Sequence, residues 1–466
     1  MKLGSIYNNA PIWMQNLMCS VEGWRIKRRR YGNAFKKALM EYESHNGWSY
    51  EQICEYRDAQ LRDLVRHCYD TVPYYRKLFD DGGVNPESIK GVADLKVLPV
   101  LTKDIIRKNP KSFISSKYAR SQLLDISTSG STGASLVLHV LPENIAQQYA
   151  IWWRYRRRLG IDFDMWHSEF GSRIIVPPKQ SKPPYWRVSK PLKQVMFSAY
   201  HGNAETYKSY FNKMDQDRFQ WIHATPSVFM PFVAFCIENH LSLLHRPKFI
   251  TTGAENLYDF QRRMIYDAFG VRARTHYGLT EAVANFSEDA DGVMEVDEDF
   301  AAVEFIPEND YCHIVGTSLI NWAMPLLRYD TADICFVSGK IGCRGRIVDR
   351  IDGRTGDGIF LPNGTKVGTL SALFSETENI VEAQIYQKKD YSLTIKYVPK
   401  NEKCASDLRV VEKLLNDRIN GAIAYKFERV DKIERTVRGK LRYIVTEVEP
   451  SNATIPSSVD VLKLGS

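Results

Sequence analysis

The chain has 466 residues and a formal net charge of +8, with 44% hydrophobic and 25% charged residues. This length favours two or three domains over one, and the composition excludes a disordered or fibrous chain. The positive balance admits an anionic partner such as a nucleotide or an acidic glycan. The basic runs Arg28–Arg30 and Arg156–Arg158 lie among aromatic and aliphatic residues, which is typical of the solvated face of an amphipathic helix. We therefore expect no nucleic-acid partner.

Cysteine usage and hydropathy indicate the compartment. The eight cysteines are scattered without a repeating spacing, which is far from a disulfide scaffold and favours a reducing cytoplasm. No apolar run approaches the roughly 18 residues that a bilayer span requires, and the first residues lack the pattern of a signal peptide. We expect a cytoplasmic protein with no membrane span.

The sequence pattern of the chain changes near residue 125. Residues 47–79 have helical periodicity, with a break at Val72-Pro73. Beyond residue 125, short apolar or β-branched runs alternate with helical stretches and glycine-rich turns. Strands alternating with helices predict an α/β body with a largely parallel sheet. The predicted strands are residues 136–140, 172–176, 249–252 and 311–317.

A Gly- and Arg-rich segment, residues 341–366, separates this body from a smaller unit. Residues 383–386, 392–397, 409–419 and 443–447 then suggest a small α+β domain. The predicted division is a large domain at 1–352, a small domain at 353–449 and a disordered tail at 450–466.

The most informative segment runs from Ser127 to Ser135 and reads STSGSTGAS. Closely spaced hydroxyls, main-chain N–H groups and two glycines can form a nest for phosphate oxygens. Ala134 follows Gly133 where a Walker A loop requires lysine, so kinase-like and GTPase-like chemistry loses its main support.

Five further segments follow in order: TTGAE at 251–255, HYGLTE at 276–281, RYDTAD at 328–333, GRTGD at 353–357 and RTVRGKLR at 435–442. Together with the phosphate loop they resemble the signatures of the acyl-adenylate superfamily. In the first half, QLRDLVRH at 60–67, VPYYR at 72–76 and LPVLTK at 98–103 resemble the phenylacetate-CoA ligase family, especially its CapK-like branch, which is associated with surface-polysaccharide gene clusters. The similarity covers about residues 31–447.

The resemblance implies an α/β fold of the acyl-adenylate synthetase type with a small mobile α+β C-terminal domain. It also implies ATP and Mg²⁺ as cofactors, with coenzyme A as a candidate second substrate. Asp333 would bind the ribose hydroxyls, Glu281 would hold the metal beside Thr280, and Lys440 would act on the α-phosphate and the acyl carboxylate. Arg354 and Asp357 would form the hinge, and Arg354 would also face the nucleotide.

The resemblance also implies three larger sets of site residues. The loop contacts the phosphates of ATP through Ser127, Thr128, Ser129, Gly130, Ser131, Thr132 and Gly133. The adenine pocket is formed by Gly253, Ala254, Glu255, His276, Tyr277 and Gly278. The acid is bound by His223, Thr225, Pro226 and Thr252. Among these, His223 and Thr225 suggest a polar acid rather than an aryl acid, which is held chiefly by apolar burial.

Two positions depart from the family pattern, since Ala332 and Gly356 replace an expected glycine and an expected acidic residue. Ala332 matters if its position requires a positive φ, which a Cβ disfavours. We expect an ATP-dependent ligase that forms an acyl-adenylate and transfers the acyl group to an amine or thiol acceptor, with a sugar or nucleotide-sugar as a candidate acceptor. The alternatives are an aryl- or acyl-CoA ligase of phenylacetate type and a non-catalytic nucleotide-binding scaffold. A monomer and a homodimer both stay open.

Overall fold

A computed structural model describes residues 3–128, 136–308, 310–354, 358–362, 366–367, 370–374, 377–419, 421–435 and 441–448. Two compact units divide the chain. The first comprises Met1–Leu257 and Gln261–Ile351, and the second comprises Tyr258–Phe260 and Asp352–Ser466. The predicted tail at 450–466 lies outside the described residues.

The helices of the first unit cover the N-terminal region and alternate with strands beyond residue 137. Their bounds are α1 Leu3–Asn9, α2 Ile12–Arg30, α3 Asn33–Ser44, α4 Tyr50–Thr71, α5 Pro73–Gly82, α6 Lys103–Lys108, α7 Pro142–Arg158, α8 Ala204–Asp217, α9 Pro226–Glu238 and α10 Asp259–Phe269. In the described part of the chain, no helix combines the length and apolar character needed to cross a bilayer.

The predicted break after Thr71 is confirmed. Ser49 begins α4 with a capping box, in which its hydroxyl accepts from the main-chain N–H of Gln52. Val72 is extended, because the following Pro73 disfavours helical backbone at the residue before it, and Pro73 starts α5 at the position where a missing N–H costs nothing. Gly83, with φ of 60°, then ends α5.

The strands of the first unit form a hairpin, an eight-stranded sheet and a four-stranded sheet. Their bounds are β1 Leu124–Ser127, β2 Val137–Val140, β3 His167–Phe170, β4 Trp186–Ser189, β5 Gln194–Phe197, β6 Trp221–Ala224, β7 Phe249–Thr252, β8 Arg274–Gly278, β9 Asn285–Glu288, β10 Met294–Val296, β11 Ala301–Glu308, β12 Tyr311–Ser318, β13 Tyr329–Phe336 and β14 Arg350–Arg354.

The eight-stranded sheet has the order β10-β9-β8-β7-β6-β3-β5-β4. Its central strands β8, β7, β6, β3 and β5 are parallel, and the outer pairs are antiparallel. The predicted parallel sheet is thus confirmed. In such sheets ligands bind outside the carboxyl ends of the strands, which here carry the TTGAE and HYGLTE segments.

One predicted strand is wrong. Residues 172–176 form no strand, and the strand of this region is β3 at His167–Phe170. Pro177 and Pro178 follow the predicted segment and cannot donate to a ladder, while β5 and β6 already occupy both sides of β3. The predicted strands at 136–140, 249–252 and 311–317 are confirmed as β2, β7 and β12.

The second unit contains its own sheet, β19-β18-β17-β20. Its elements are β15 Ile359–Phe360, β16 Lys366–Val367, β17 Ile380–Gln387, β18 Leu393–Pro399, α11 Cys404–Ile419, β19 Tyr425–Arg429 and β20 Ile444–Thr446. Val411, Leu415 and Ile419 of α11 are buried at helical spacing. The predicted α+β character of this part of the chain is confirmed.

Candidate active site

The phosphate loop leaves from a short hairpin whose base is closed by Thr128. In the hairpin, β1 pairs with β2 in antiparallel register, with Ser127 opposite Val137. The main-chain N–H of Thr128 donates to the carbonyl of Leu136 (2.9 Å), and the N–H of Leu136 donates to Thr128 Oγ1 (3.0 Å). The hydroxyl oxygen of Thr128 therefore accepts from the main chain and fixes the mouth of the loop. Ser127 is exposed, and the predicted loop residues Ser129–Gly133 lie outside the described residues.

The TTGAE segment is anchored to the N-terminus of α9. Gly253 follows β7 and donates to the carbonyl of Ala224 (3.2 Å), and a Cβ on Gly253 would lie 2.9 Å from His276 Cε1. The Glu255 carboxylate accepts from the main-chain N–H and the hydroxyl of Ser227, each at 3.0 Å. A carboxylate at a helix N-terminus accepts from an otherwise unpaired N–H group, and its negative charge interacts favourably with the positive end of the helix dipole. Glu255 thus holds the segment in place.

Two predicted acid-binding residues begin α9. Thr225 is its N-cap, is 9% exposed and donates through its main-chain N–H to the carbonyl of Phe170 (2.9 Å). Pro226 is the first helical residue and is buried. Both residues therefore set the backbone path where β6 joins α9.

His223, on β6, belongs to a polar row on one face of the sheet. Its Nδ1 lies 2.9 Å from Thr251 Oγ1, and the same hydroxyl accepts from Trp221 Nε1 (2.8 Å). Burial, followed by the positive charge of Arg156, lowers the pKa of His223 well below its ordinary value. The adjacent Thr252 alternates to the opposite face, where its hydroxyl is fully buried without a hydrogen-bond partner. The structure therefore does not bring Thr252 together with His223.

His276 and Tyr277 are consecutive on β8 and face opposite sides of the sheet. The His276 ring lies 5.6 Å from Trp152 and 5.5 Å from Tyr155, both on α7. Burial lowers the pKa of His276 to about 3, and its Nδ1 is buried with no hydrogen-bond partner in the described part of the chain. Gly278 ends the strand close to Trp152, whose Nε1 would lie 3.0 Å from a Cβ at that position.

The HYGLTE and RYDTAD segments are joined by two hydrogen bonds. Tyr277 donates to Asp333 Oδ2 (2.7 Å), and Tyr329 donates to Glu281 Oε1 (3.3 Å). The Tyr277 ring stacks on Phe286, with centroids 4.9 Å apart. Burial and the Asp333 charge raise the pKa of Tyr277 well above its ordinary value, so the phenol stays protonated and donates. The predicted ribose ligand and metal ligand are thus fixed by tyrosines of the two signatures.

Ala332 has the backbone conformation that makes its replacement of glycine significant. Its φ is +60°, and its main-chain N–H donates to Asp330 Oδ1 (2.8 Å), the pattern of an Asx turn. Arg328, the first residue of the segment, also has a positive φ of 51° and pairs with Glu304 (2.8 Å). The Asp330 side chain therefore helps hold Ala332 in a conformation that glycine adopts freely.

Glu281 meets the ordinary requirement for a Mg²⁺ ligand. It lies half-buried in the turn after β8 and accepts from Tyr329, and Thr280 beside it is half-buried in the same turn. Among the described residues no group of three or more metal-ligating side chains occurs. A Mg²⁺ ion held by one carboxylate together with substrate phosphates requires no such group.

The interpretation of Arg156–Arg158 as a solvated face is wrong. Arg156 is 8% exposed, and the Arg158 side chain is 15% exposed. Arg158 pairs with Asp297 (3.2 Å) in a buried network that also contains Arg154. A buried carboxylate far along the chain compensates Arg158, a pairing that helical periodicity does not reveal. In the other run the interpretation holds for Arg28 and Arg29, which are exposed at the end of α2. It does not hold for Arg30, whose Nε is buried and whose guanidinium lies 4.2 Å from the centroid of the Tyr149 ring.

Three predicted residues cannot be placed by their side chains. Lys440 and Asp357 lie outside the described residues, and Arg354 is described only as a main-chain member of β14. Their predicted roles stay predictions.

Comparisons with known proteins agree with the resemblance seen in the motifs. The family model of the CapK C-terminal domain matches residues 359–447. Protein CapK of Staphylococcus aureus is 27% identical over 461 residues, covering 96% of this chain and 100% of CapK. The phenylacetate-coenzyme A ligase of Thermus thermophilus is 25% identical over 351 residues, covering 67% of this chain and 72% of that enzyme.

Among solved structures, a 2-hydroxyisobutyryl-CoA ligase in the postadenylation state, in complex with R3-HIB-AMP, superimposes with a TM-score of 0.64. The identity is 16%, and the alignment covers 86% of this chain and 91% of that one. At this identity the likeness establishes the fold. The expected α/β fold of the acyl-adenylate synthetase type is confirmed, as is the similarity to CapK and to phenylacetate-CoA ligases.

Proposed function

We propose that this chain activates a carboxylic acid as an acyl-adenylate at the expense of ATP, and then transfers the acyl group to an amine or to coenzyme A. The observation that carries the proposal is the double link between the HYGLTE and RYDTAD segments, Tyr277 to Asp333 and Tyr329 to Glu281. These bonds hold the candidate ribose ligand and the candidate metal ligand together, although the segments lie 48 or more positions apart in the sequence.

In the proposed first step a carboxylate oxygen of the acid attacks the α-phosphorus of ATP, the bond to the β-phosphate breaks, and pyrophosphate leaves. Two anions meet, so the reaction requires positive charge and oriented donors more than a base. Asp333 accepts hydrogen bonds from the ribose diol. Glu281 and the substrate phosphates would hold Mg²⁺, which would neutralise charge on the phosphate oxygens. The loop from Ser127 to Gly133 donates to the phosphates, and Lys440 contacts the α-phosphate and the acyl carboxylate.

In the proposed second step the acceptor attacks the acyl carbon, and AMP leaves. We propose as one acceptor an amine, such as that of a sugar or nucleotide-sugar, in surface-polysaccharide biosynthesis, which is the setting that the resemblance of the motifs to the CapK-like branch implies. The similarity to phenylacetate-coenzyme A ligases supports coenzyme A. We further propose a cytoplasmic location, a domain boundary between residues 352 and 353, and a hinge formed by Arg354 and Asp357.

The scaffold alternative rested on Ala332 and Gly356. The backbone of Ala332 weakens its first support, because the alanine adopts the positive φ that glycine would have. Gly356 lies outside the described residues.

The decisive experiment measures acid-dependent pyrophosphate release from ATP over a broad panel of carboxylic acids, with and without coenzyme A and candidate amines. Lys440→Ala should lower the rate by about 100-fold or more, the order found when a transition-state donor is removed. Asp333→Asn should raise the KM for ATP, because the ribose hydroxyls lose a charged acceptor. Lys432→Ala, at an exposed lysine of the same unit, should leave the rate unchanged. If no acid yields pyrophosphate, or a hydroxamate when hydroxylamine is added, the proposal is overturned. ATP binding without acid-dependent turnover would favour the non-catalytic scaffold.

A further inference from the structure

Arg156, in the last turn of α7, is a buried cation without a carboxylate partner. It is 8% exposed, it makes no ion pair with a carboxylate of the described residues, and its Nε has no hydrogen-bond partner. Its guanidinium lies over the rings of Trp153 and Trp221, 5.2 and 5.3 Å from their centroids. The neighbouring arginines differ, because Arg154, Arg157 and Arg158 all have carboxylate partners.

A buried unpaired charge is strongly unfavourable in a folded protein. Contact with two indole rings and the carbonyl end of a helix both favour a cation. Neither gives the Arg156 Nε a hydrogen bond among the described residues, and neither is the carboxylate or phosphate that a guanidinium fork binds best. The arrangement is that of a binding group whose partner arrives from outside the chain.

The groups around Arg156 are polar and belong to the sheet face that α7 covers. Strand register places His167 and Glu169 of β3, Trp221 and His223 of β6, and Thr251 of β7 on this face. The His167 ring stacks on Trp221, with centroids 4.2 Å apart.

The histidines of this face do not compete with Arg156 for an anion. Burial, followed by the charge of Arg156, lowers the pKa of His167 and of His276 to about 3, so both rings are neutral at pH 7. Glu169 lies 4.0 Å from His167 Nε2 and makes no ion pair with Arg156. Burial raises the pKa of Glu169, against the smaller opposing effects of the Arg173 and Arg156 charges. Arg274 of β8 is in register with Thr251 and lies on the same face, but its guanidinium donates to the carbonyls of Ala290 and Ala273. Arg156 is therefore a buried positive charge of this face with neither a carboxylate nor a carbonyl acceptor among the described residues.

We infer that the acid activated here carries a second anionic group, which binds the Arg156 guanidinium while the first carboxylate reacts with ATP. The inference rests on the proposed function, and it names the substrate class of the same site. A carboxylate and a phosphate can both accept two parallel hydrogen bonds from the guanidinium fork. His223 lies on this face and in the segment predicted to bind the acid, so the same residues contact the body of the substrate.

The test compares acids in matched pairs by the kcat/KM of pyrophosphate release. Glutarate is paired with pentanoate, a hexaric acid with the corresponding hexuronic acid, and 3-phosphoglycerate with glycerate. The second and third pairs separate a sugar framework and a phosphate from a simple second carboxylate. The wild type should prefer the dianionic member of at least one pair by about 100-fold or more, because a buried polar group left unpaired discriminates strongly.

Arg156→Met keeps an unbranched stem and removes the charge, so it should abolish that preference. We expect a loss of about 100-fold for the dianionic acid and less than about 3-fold for its partner, as when a buried charge pair loses one member. Arg156→Lys should recover part of the preference, since lysine keeps the charge without the fork. Arg157→Met, at an exposed neighbour, should leave the ratio unchanged.

The outcomes separate the two proposals. The inference of a second anionic group is overturned if the wild type has the same kcat/KM for both members of every pair. It is also overturned if Arg156→Met lowers kcat/KM equally for both members. Neither result contradicts adenylation. If no acid releases pyrophosphate, the proposed function fails, and the thermal shift caused by each dianionic acid alone then tests the site. A shift that Arg156→Met loses supports the inference, and no shift with any of the acids overturns it. If Arg156→Met does not fold, the same ratio in Arg156→Lys decides.

Discussion

Three alanines in or beside the signature segments have a left-handed backbone: Ala254, Ala282 and Ala332, with φ of 68°, 54° and 60°. An L-residue in this region is strained by about 1 to 3 kcal/mol and persists where its surroundings enforce the conformation. Ala254 follows β7, Ala282 follows the HYGLTE segment, and Ala332 lies within the RYDTAD segment. Backbone strain therefore accumulates at the candidate nucleotide site.

Relieving this strain at Ala332 should stabilise the protein. Ala332→Gly is expected to raise the free energy of unfolding by up to about 1 kcal/mol, because released strain outweighs the added freedom of the unfolded chain. Ala59→Gly, within helix α4, should lower it by about 1 kcal/mol. Urea unfolding measures both. An equal loss in the two variants would show that Ala332 is not strained.

The Tyr277 hydroxyl should act through Asp333. Tyr277→Phe keeps the ring on Phe286 and removes the donor to a carboxylate that is 8% exposed. We expect stability to fall by about 1 to 2 kcal/mol and the KM for ATP to rise several-fold, as for a lost bond to a buried charge. Tyr74→Phe is the control, since that ring stacks on Phe113 in the N-terminal helices and should leave the KM unchanged. An unaltered KM in Tyr277→Phe would separate Asp333 from nucleotide binding.

At the scale of single residues, the motifs predicted which residues lie near one another. They did not predict the hydrogen bonds that fix the position of these residues. Asp333, Tyr277 and Glu281 were predicted from segment order, and the structure brings them together. That Thr128 accepts from a main-chain N–H and that Glu255 caps α9 depend on which chain segment passes nearby. A one-dimensional pattern carries no information on such tertiary partners.

Helix α7 connects the N-terminal helices to the sheets through Arg154. Its guanidinium bonds Asp299 (2.5 and 2.8 Å) and Asp297 (2.8 Å), while His45 Nδ1 lies 2.7 Å from Asp299. Burial alone would raise the pKa of Asp299, but Arg154 and then His45 hold it well below its ordinary value. The Asp299 carboxylate is thus charged in the core and depends on Arg154.

Replacing Arg154 should lower the free energy of unfolding much more than replacing its neighbour Arg157. Arg154→Met leaves Asp297 and Asp299 undercompensated and is expected to lower the free energy of unfolding by about 3 to 5 kcal/mol. Arg157→Met removes a partly exposed pair with Glu43 and should change it by at most about 1 kcal/mol. Denaturant unfolding compares the two. Similar effects in both variants would contradict a special role for the buried network.

The elements themselves were more predictable than their surroundings. Periodicity placed α4, because one face of that helix is buried and its spacing is visible in the sequence. The strand β7 was placed instead as a short apolar and β-branched run, because both of its faces are buried. The run Arg156–Arg158 was misinterpreted, since the Asp297 partner of Arg158 lies 139 residues later in the sequence. A charged run reads as solvated unless its compensating charges are also seen.

At the scale of the whole molecule, stability should depend on pH through histidines buried in their neutral form. His167 and His276 have pKa values lowered to about 3, chiefly by burial, against about 6.5 in an unfolded chain. Between these values the unfolded chain binds a proton that the folded chain does not. Stability therefore falls as the pH drops below about 6.5 and continues to fall towards about 3.

Lowering the pH from 7 to 5 should therefore cost about 2 kcal/mol of unfolding free energy for each of these two histidines, from the linkage of protonation to folding. His276→Gln removes one titrating ring, so its loss over this interval should be about 2 kcal/mol smaller than that of the wild type. His245→Gln, at an exposed histidine, should keep the full loss. Urea unfolding of the full chain at pH 7 and pH 5 measures this loss in each variant. The contribution of the carboxylates is common to all variants, so it cancels when their losses are compared. Identical losses in the wild type and His276→Gln would mean that the ring is protonated in the folded state, and Arg156 would then share its sheet face with a second cation.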